Sequence, residues 1–180
     1  MAPLVLDGKT FTPDLVRHIK RFDQKIELSE EAWVRVEKSR AVIDNIVSGG
    51  RTKYGINTGI GTKFSEVVIS QDQLEELNVN LIRSHAAGVG SALSPERTRV
   101  LLAVRINSLA NGYAGISRVN LEKCIAALNA NCLPIVPERG TVGAHDLAQL
   151  SHLTLGLMGE GDMWSPTTQI APAIDVLQRL

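Results

Sequence analysis

Hydrophobic positions recur at helical spacing along most of the chain. Ala32, Val36, Ile43 and Val47 fall on one helical face, with Ser29 placed to cap the start, Glu30 and Glu31 suited to the positive end of the dipole, and Gly49-Gly50 as the stop. Leu74, Leu77 and Leu81 form the next stripe, which we expect to be buried behind a Ser70 cap. Ser94-Pro95-Glu96 opens a helix running to Gly112 that is apolar on nearly every side between Val100 and Ala110, the pattern of a helix buried in a larger bundle. Ser117 begins another, with Leu121, Ile125 and Leu128 inward. Leu147, Leu150, Leu153 and Leu157 mark a further apolar helix ending at Gly159-Glu160-Gly161. Before all of these, Leu4 to Leu6 suits a short strand turning at Asp7-Gly8, and Thr12-Pro13 suits a helix start. Ile174 to Leu177 suits a last short helix. The predicted class is mainly α with little β, and the chain, 1–180, reads as a single domain.

Two segments break the helical texture. Tyr54 to Thr62 reads Tyr-Gly-Ile-Asn-Thr-Gly-Ile-Gly-Thr, too rich in glycine for a stable helix and therefore a loop with accessible backbone amides. Gly140-Thr141-Val142-Gly143 is a second glycine loop, and it feeds directly into a helix start.

Composition narrows the function classes. Lys and Arg number 19 and Asp and Glu 19, so no charge surplus points to nucleic acid or to an anionic membrane surface. Aromatics are only 4%, which leaves the core to aliphatic side chains. Cys124 and Cys132 fit neither a disulfide framework nor a zinc pattern, and serve as small hydrophobes in a reducing compartment. No apolar run is long enough to span a bilayer, and no signal peptide is legible, so a cytoplasmic protein is expected.

Three places carry candidate chemistry. Tyr54 opens the first glycine loop; a phenol serves as a base only where positive charge or hydrogen-bond donors lower its pKa, and Arg51 and Lys53 are near in sequence. The alternative is that it packs against its loop. His85 follows Ser84 on the stripe of Leu81 and precedes Ala86-Ala87-Gly88, where a satisfied structural histidine is the alternative to an active one. The segment Gly143, Ala144, His145, Asp146 joins a glycine loop to a positive helix end, suited to an anion or an electron-poor group, with Asp146 as helix N-cap or first-turn residue. His145 and His152 are about two turns apart, too far to share an ion, so no metal is expected.

The order of these blocks resembles the aromatic amino-acid ammonia-lyases. The resemblance is carried by Tyr54-Gly-Ile-Asn-Thr-Gly-Ile-Gly61, Asn80 to Gly90, Arg105-Ile-Asn-Ser-Leu-Ala-Asn-Gly112 with Gly115-Ile-Ser117, Val136 to Ala144, and Leu157-Met-Gly-Glu-Gly161. The Ser84-His85 pair leans toward the histidine branch of the family. The resemblance implies a helical homotetramer that needs no external cofactor and deaminates its amino acid non-oxidatively, giving urocanate from histidine. Its electrophile is a methylidene-imidazolone made from the chain's own Ala-Ser-Gly triplet. It also implies that Tyr54 is the catalytic base, that His85 belongs to the active site, and that Ala144 is the first member of the triplet.

Here the sequence departs from the family. Where the pattern is Gly-Ala-Ser-Gly-Asp-Leu-Ala-Pro-Leu, this chain has Gly143-Ala-His-Asp-Leu-Ala-Gln-Leu150. A single His145 replaces Ser-Gly, and Gln149 replaces proline. Imidazole offers no β-leaving group, and the cyclising glycine nitrogen is absent, so no methylidene carbon is expected. An alternative is that Ala144 stands for an already matured triplet, with His145 then an additional residue.

The resemblance also implies that the chain is the N-terminal portion of a longer lyase, with apolar helices left in need of cover. Three functional readings follow. The chain is a histidine ammonia-lyase or a piece of one; or a catalytically dead paralogue that binds a full-length subunit; or a helical module that holds an anion on its glycine loops. A phenylalanine or tyrosine lyase fragment is the alternative within the family.

Overall fold

The computed structural model describes residues 2–61, 67–143, 146–167 and 169–180. Strand β1 (Leu4–Leu6) lies parallel to β2 (Ile26–Leu28), with helix α1 (Pro13–Ile19) between them. Helix α2 (Glu30–Ser48) follows, then α3 (Leu74–His85), strand β3 (Val89–Ala92), α4 (Pro95–Leu109) and α5 (Arg118–Ala130). Strands β4 (Leu133–Pro134) and β5 (Pro137–Arg139) precede α6 (Leu147–Leu157), and β6 (Asp162–Trp164), β7 (Ile170–Pro172) and α7 (Ala173–Leu177) complete the chain. β3 pairs antiparallel with β5, and β4, β6 and β7 form a second antiparallel sheet.

Four helix starts are where the hydroxyls predict them, but Ser70 makes no capping bond: a short 3-10 turn, Gln71–Gln73, intervenes and Gln73 stands at the N-cap of α3. Thr12, Ser29, Ser94 and Ser117 each sit at an N-cap, and each side-chain oxygen accepts the backbone N–H three residues on. Such a cap satisfies one of the donors that a helix start leaves orphaned, at about 1 kcal/mol each. Asp7 makes the predicted turn. Its carboxylate accepts from the amides of Lys9 and Thr10, bonds that hold its pKa down to about 2. Gly8 takes a positive φ there and donates its N–H to Asn107 Oδ1 at 3.0 Å, locking β1 to α4.

α4 is the central helix. Leu102, Ala103 and Ile106 are fully buried against Leu6, Ile19, Leu121 and Leu128. Two stripes differ from expectation. On α2 the buried positions are Ala32, Trp33, Val36 and Ile46, while Ile43 and Val47 are only half-buried, because α5 packs against the start of α2 and covers Trp33, over which Arg118 stacks at 4.6 Å. On α3, Leu74, Leu77 and Leu81 are half-buried rather than buried: among the described residues that helix packs on α6 alone of the long helices, so one side of its stripe stays uncovered.

Cys132 is buried and Cys124 half-buried; both thiols are unpaired, and burial pushes their pKa values up. Among the described residues no helix is long and apolar enough to cross a membrane.

Candidate active site

The first glycine loop is held by its own hydrogen bonds. Asn57 is the organiser: its Oδ1 accepts from Lys53 N–H at 2.8 Å and its Nδ2 donates to the Arg51 carbonyl at 2.9 Å. Asn57 and Thr58 are buried, and Thr58 Oγ1 accepts the Gly55 amide. Beyond the loop, Gly59 N–H donates to Val67 and Ile69 N–H to Asn57, closing a two-sided strap. Tyr54 is 61% exposed at the mouth of this loop, and its phenol oxygen accepts the Gly61 amide at 3.2 Å. The donor next to the phenol is thus a backbone amide of its own loop.

His85 closes α3. Its Nδ1 lies 2.8 Å from the Leu81 carbonyl and 3.0 Å from Ser84 Oγ. A carbonyl only accepts, so the network assigns the proton to Nδ1 and leaves Nε2 as the basic nitrogen of the ring. The hydroxyl of Ser84 points back to Leu81 as well, at 2.9 Å. Ser84 and His85 therefore act as one unit anchored on the last turn of the helix.

The second loop begins at Gly140, where β5 ends. Thr141 Oγ1 accepts the Gly143 amide at 3.0 Å and donates to the Asp146 carboxylate. Asp146 occupies the N-cap position of α6, as expected, but not with cap chemistry: its side chain makes no capping bond, and its backbone is left-handed at φ 47°. Its oxygen is spent on Thr141 instead. A left-handed non-glycine residue costs about 1 kcal/mol, and it stands directly after the point where the family's Ser-Gly is replaced. Ala144 and His145 lie outside the described residues.

β3 and β5 bring two of the three candidate segments together. Val89 pairs with Arg139, so the turn carrying His85 and the base of the second loop share a sheet edge. Among the described residues the first loop is not tied to them; its hydrogen bonds there run within 51–61 or to 67–69. A cleft of about 410 Å³ opens between α4 and α6, beside the second loop, lined by Leu101, Val104, Arg105, Thr141, Asp146 and Gln149. Gln149 Oε1 is buried there without a hydrogen-bond partner. Among the described residues no three His, Cys, Asp or Glu side chains cluster as metal ligands.

Sequence reasoning missed two residues. Arg99, fully buried in α4, bonds the carbonyls of Ile19, Gln24 and Leu128 together with Asn131 Oδ1. His152, considered in the sequence only as a metal ligand, instead accepts the Gly88 amide on Nε2 at 3.0 Å. The prosthetic-group segment fails a chemical test on its residues. A histidine between Ala144 and Asp146 has neither the hydroxyl that leaves nor the glycine nitrogen that attacks, so these residues do not fit a methylidene-imidazolone.

The chain is similar to known lyases along nearly its whole length. The histidine ammonia-lyase of Homo sapiens is 54% identical over 174 residues, which cover 96% of this chain and 26% of that one. The crystal structure of histidine ammonia-lyase from Trypanosoma cruzi superposes with a TM-score of 0.93 at 44% identity, over 99% of this chain and 34% of that chain. The ergothioneine-degrading ergothionase of Treponema denticola has the same TM-score at 28% identity. This chain thus spans about a quarter to a third of the length of these relatives. A family model for aromatic amino acid lyases matches residues 11–180, and the chain belongs to that family.

Proposed function

We propose that this chain is a module of the histidine ammonia-lyase type whose own electrophile does not form. In this reading Tyr54 and His85 are the base and the substrate-facing histidine of a site for L-histidine, a small amino-acid substrate, and the protein works in the cytoplasm. The segment Gly143, Ala144, His145, Asp146 supplies no electron sink, so the chain alone does not release urocanate. The observation that carries the proposal is the single His145 between Ala144 and Asp146 in a chain 54% identical to a histidine ammonia-lyase. Without an electrophile to activate the amine, a tyrosine base has no acidified β-proton to remove. The test is urocanate absorbance on adding L-histidine to the purified chain: none is expected, and steady turnover sinks the proposal.

A second reading is supported by the surface. Tyr113 is 92% exposed and Val142, within the second loop, 90%. Large apolar side chains left bare suit a subunit that associates with a full-length lyase or with copies of itself. Sizing the chain alone and mixed with full-length histidine ammonia-lyase checks this; separate elution at micromolar concentration removes it.

A further inference from the structure

Three pieces of backbone converge beside α6. Gly88 N–H donates to His152 Nε2 at 3.0 Å, across 64 residues of sequence. A Cβ on Gly88 would stand 3.1 Å from both His152 Nε2 and the Arg139 carbonyl oxygen. A Cβ on Gly140 would stand 2.9 Å from Ala148 Cβ and 3.1 Å from Gly88 Cα. The turn after His85 and the base of the second loop therefore meet backbone to backbone, with the Ala148 and His152 side chains of α6 directly against them. The β3–β5 pairing, with Val89 opposite Arg139, already sets the two strands against each other. The directional contact from this junction to α6 is the bond to His152.

We propose that His152 is a positioning residue: its Nε2 ties Gly88, and with it the Ser84-His85 turn, to α6 beside the base of the second glycine loop. The importance of that placement rests on the function proposed above; the bond itself does not. Accepting on Nε2 requires the neutral ring with its proton on Nδ1, because an imidazolium has no acceptor to offer. Half-burial favours this neutral form, pushing the His152 pKa below its usual value. The charged groups facing it do not replace the bond. Glu160 and Asp162 line the same cleft of about 240 Å³, and Glu160 is engaged by Arg83 of α3 at 2.5 Å. From β5, Arg139 presents its carbonyl and Glu138 pairs with Arg97 at 3.7 Å; Asp175 lies on α7, which also packs on α6.

The test is amide exchange at Gly88, expressed as protection over the intrinsic rate, in the wild-type chain, H152Q and H152L between pH 5 and 8. In the wild type, protection is expected to fall as pH drops through the imidazole range. Gln Oε1 can take the place of Nε2 without titrating, so H152Q is expected to keep protection and lose its pH dependence. At pH 7 to 8, where the wild-type ring is neutral, H152L is expected to exchange about tenfold faster than the wild type, with Leu102 and Ile106 amides as protected as before and with the His85 ring resonances shifted. Equal Gly88 protection in H152L and the wild type at pH 7 to 8 overturns the proposal. So does a wild-type profile with no pH dependence, which needs no variant to fold, or a His85 signal unmoved when Gly88 is released. All these readouts are independent of turnover, so a failure here is distinct from an unexpected appearance of urocanate.

Discussion

Arg99 Nη1 lies 2.6 Å from Asn131 Oδ1, joining the middle of α4 to the residue that ends α5. Asn131 is left-handed there, at φ 59°, and its side-chain Nδ2 donates to the Phe22 carbonyl. One polar pair thus gathers the end of α5, the turn after α1 and the central helix. Burial pulls the guanidinium down to about 10, yet it stays protonated at neutral pH. Replacing Arg99 by Met leaves the buried carbonyls of Ile19 and Gln24 without this donor, and that of Leu128 with the Asn131 amide alone. We expect a loss of roughly 3 kcal/mol in a urea titration. Arg99→Lys should recover little, because an ammonium lacks the planar fork that reaches several carbonyls at once.

Gln149 presents the opposite case. Its buried Oε1 has no partner, so Gln149→Leu should stabilise the chain by about 1 kcal/mol in thermal unfolding. Gln149→Pro is also expected to be tolerated, since the residue stands in the first turn of α6, where a missing N–H breaks no helical bond.

Gly156 sets how closely α6 approaches β4. A Cβ there would lie 2.6 Å from Pro134 Cβ, and Pro134 is itself held in the β4–β6 pairing. Gly156→Ala should cost about 2 kcal/mol through overpacking, measured by urea unfolding.

Stability should also depend on pH through His152. Its folded pKa is depressed by burial, so its contribution is present above the unfolded value of about 6.5 and is lost as pH falls through the folded value. Thermal melts of the wild type and H152Q should therefore diverge below about pH 6.5, with the wild type losing more.

Local rules made much of this fold legible. The hydroxyl caps at Thr12, Ser29, Ser94 and Ser117 and the turn at Asp7-Gly8 depend on neighbours a few residues away, and all appear where the sequence places them. The half-buried stripe of α3 and the buried Ile46 were not legible, because burial depends on which helix arrives from elsewhere in the chain. The β3–β5 pairing, the Arg99 cluster and the Gly88–His152 bond span from about 29 to 80 residues of sequence, beyond the reach of periodicity. The candidate site was legible as ordered motifs. What the sequence did not reveal is that the His85 turn and the second loop share one sheet edge, while Tyr54 bonds within its own loop.

The claim beneath the proposed function is that the backbone between Gly143 and Asp146 remains unmodified polypeptide. Intact mass of the purified chain measures this most directly. The prediction is the mass of the unmodified sequence, with an ordinary histidine following an ordinary alanine on fragmentation. A mass short by two waters, localised to that segment, would show that a cyclised electrophile forms after all and would contradict the account.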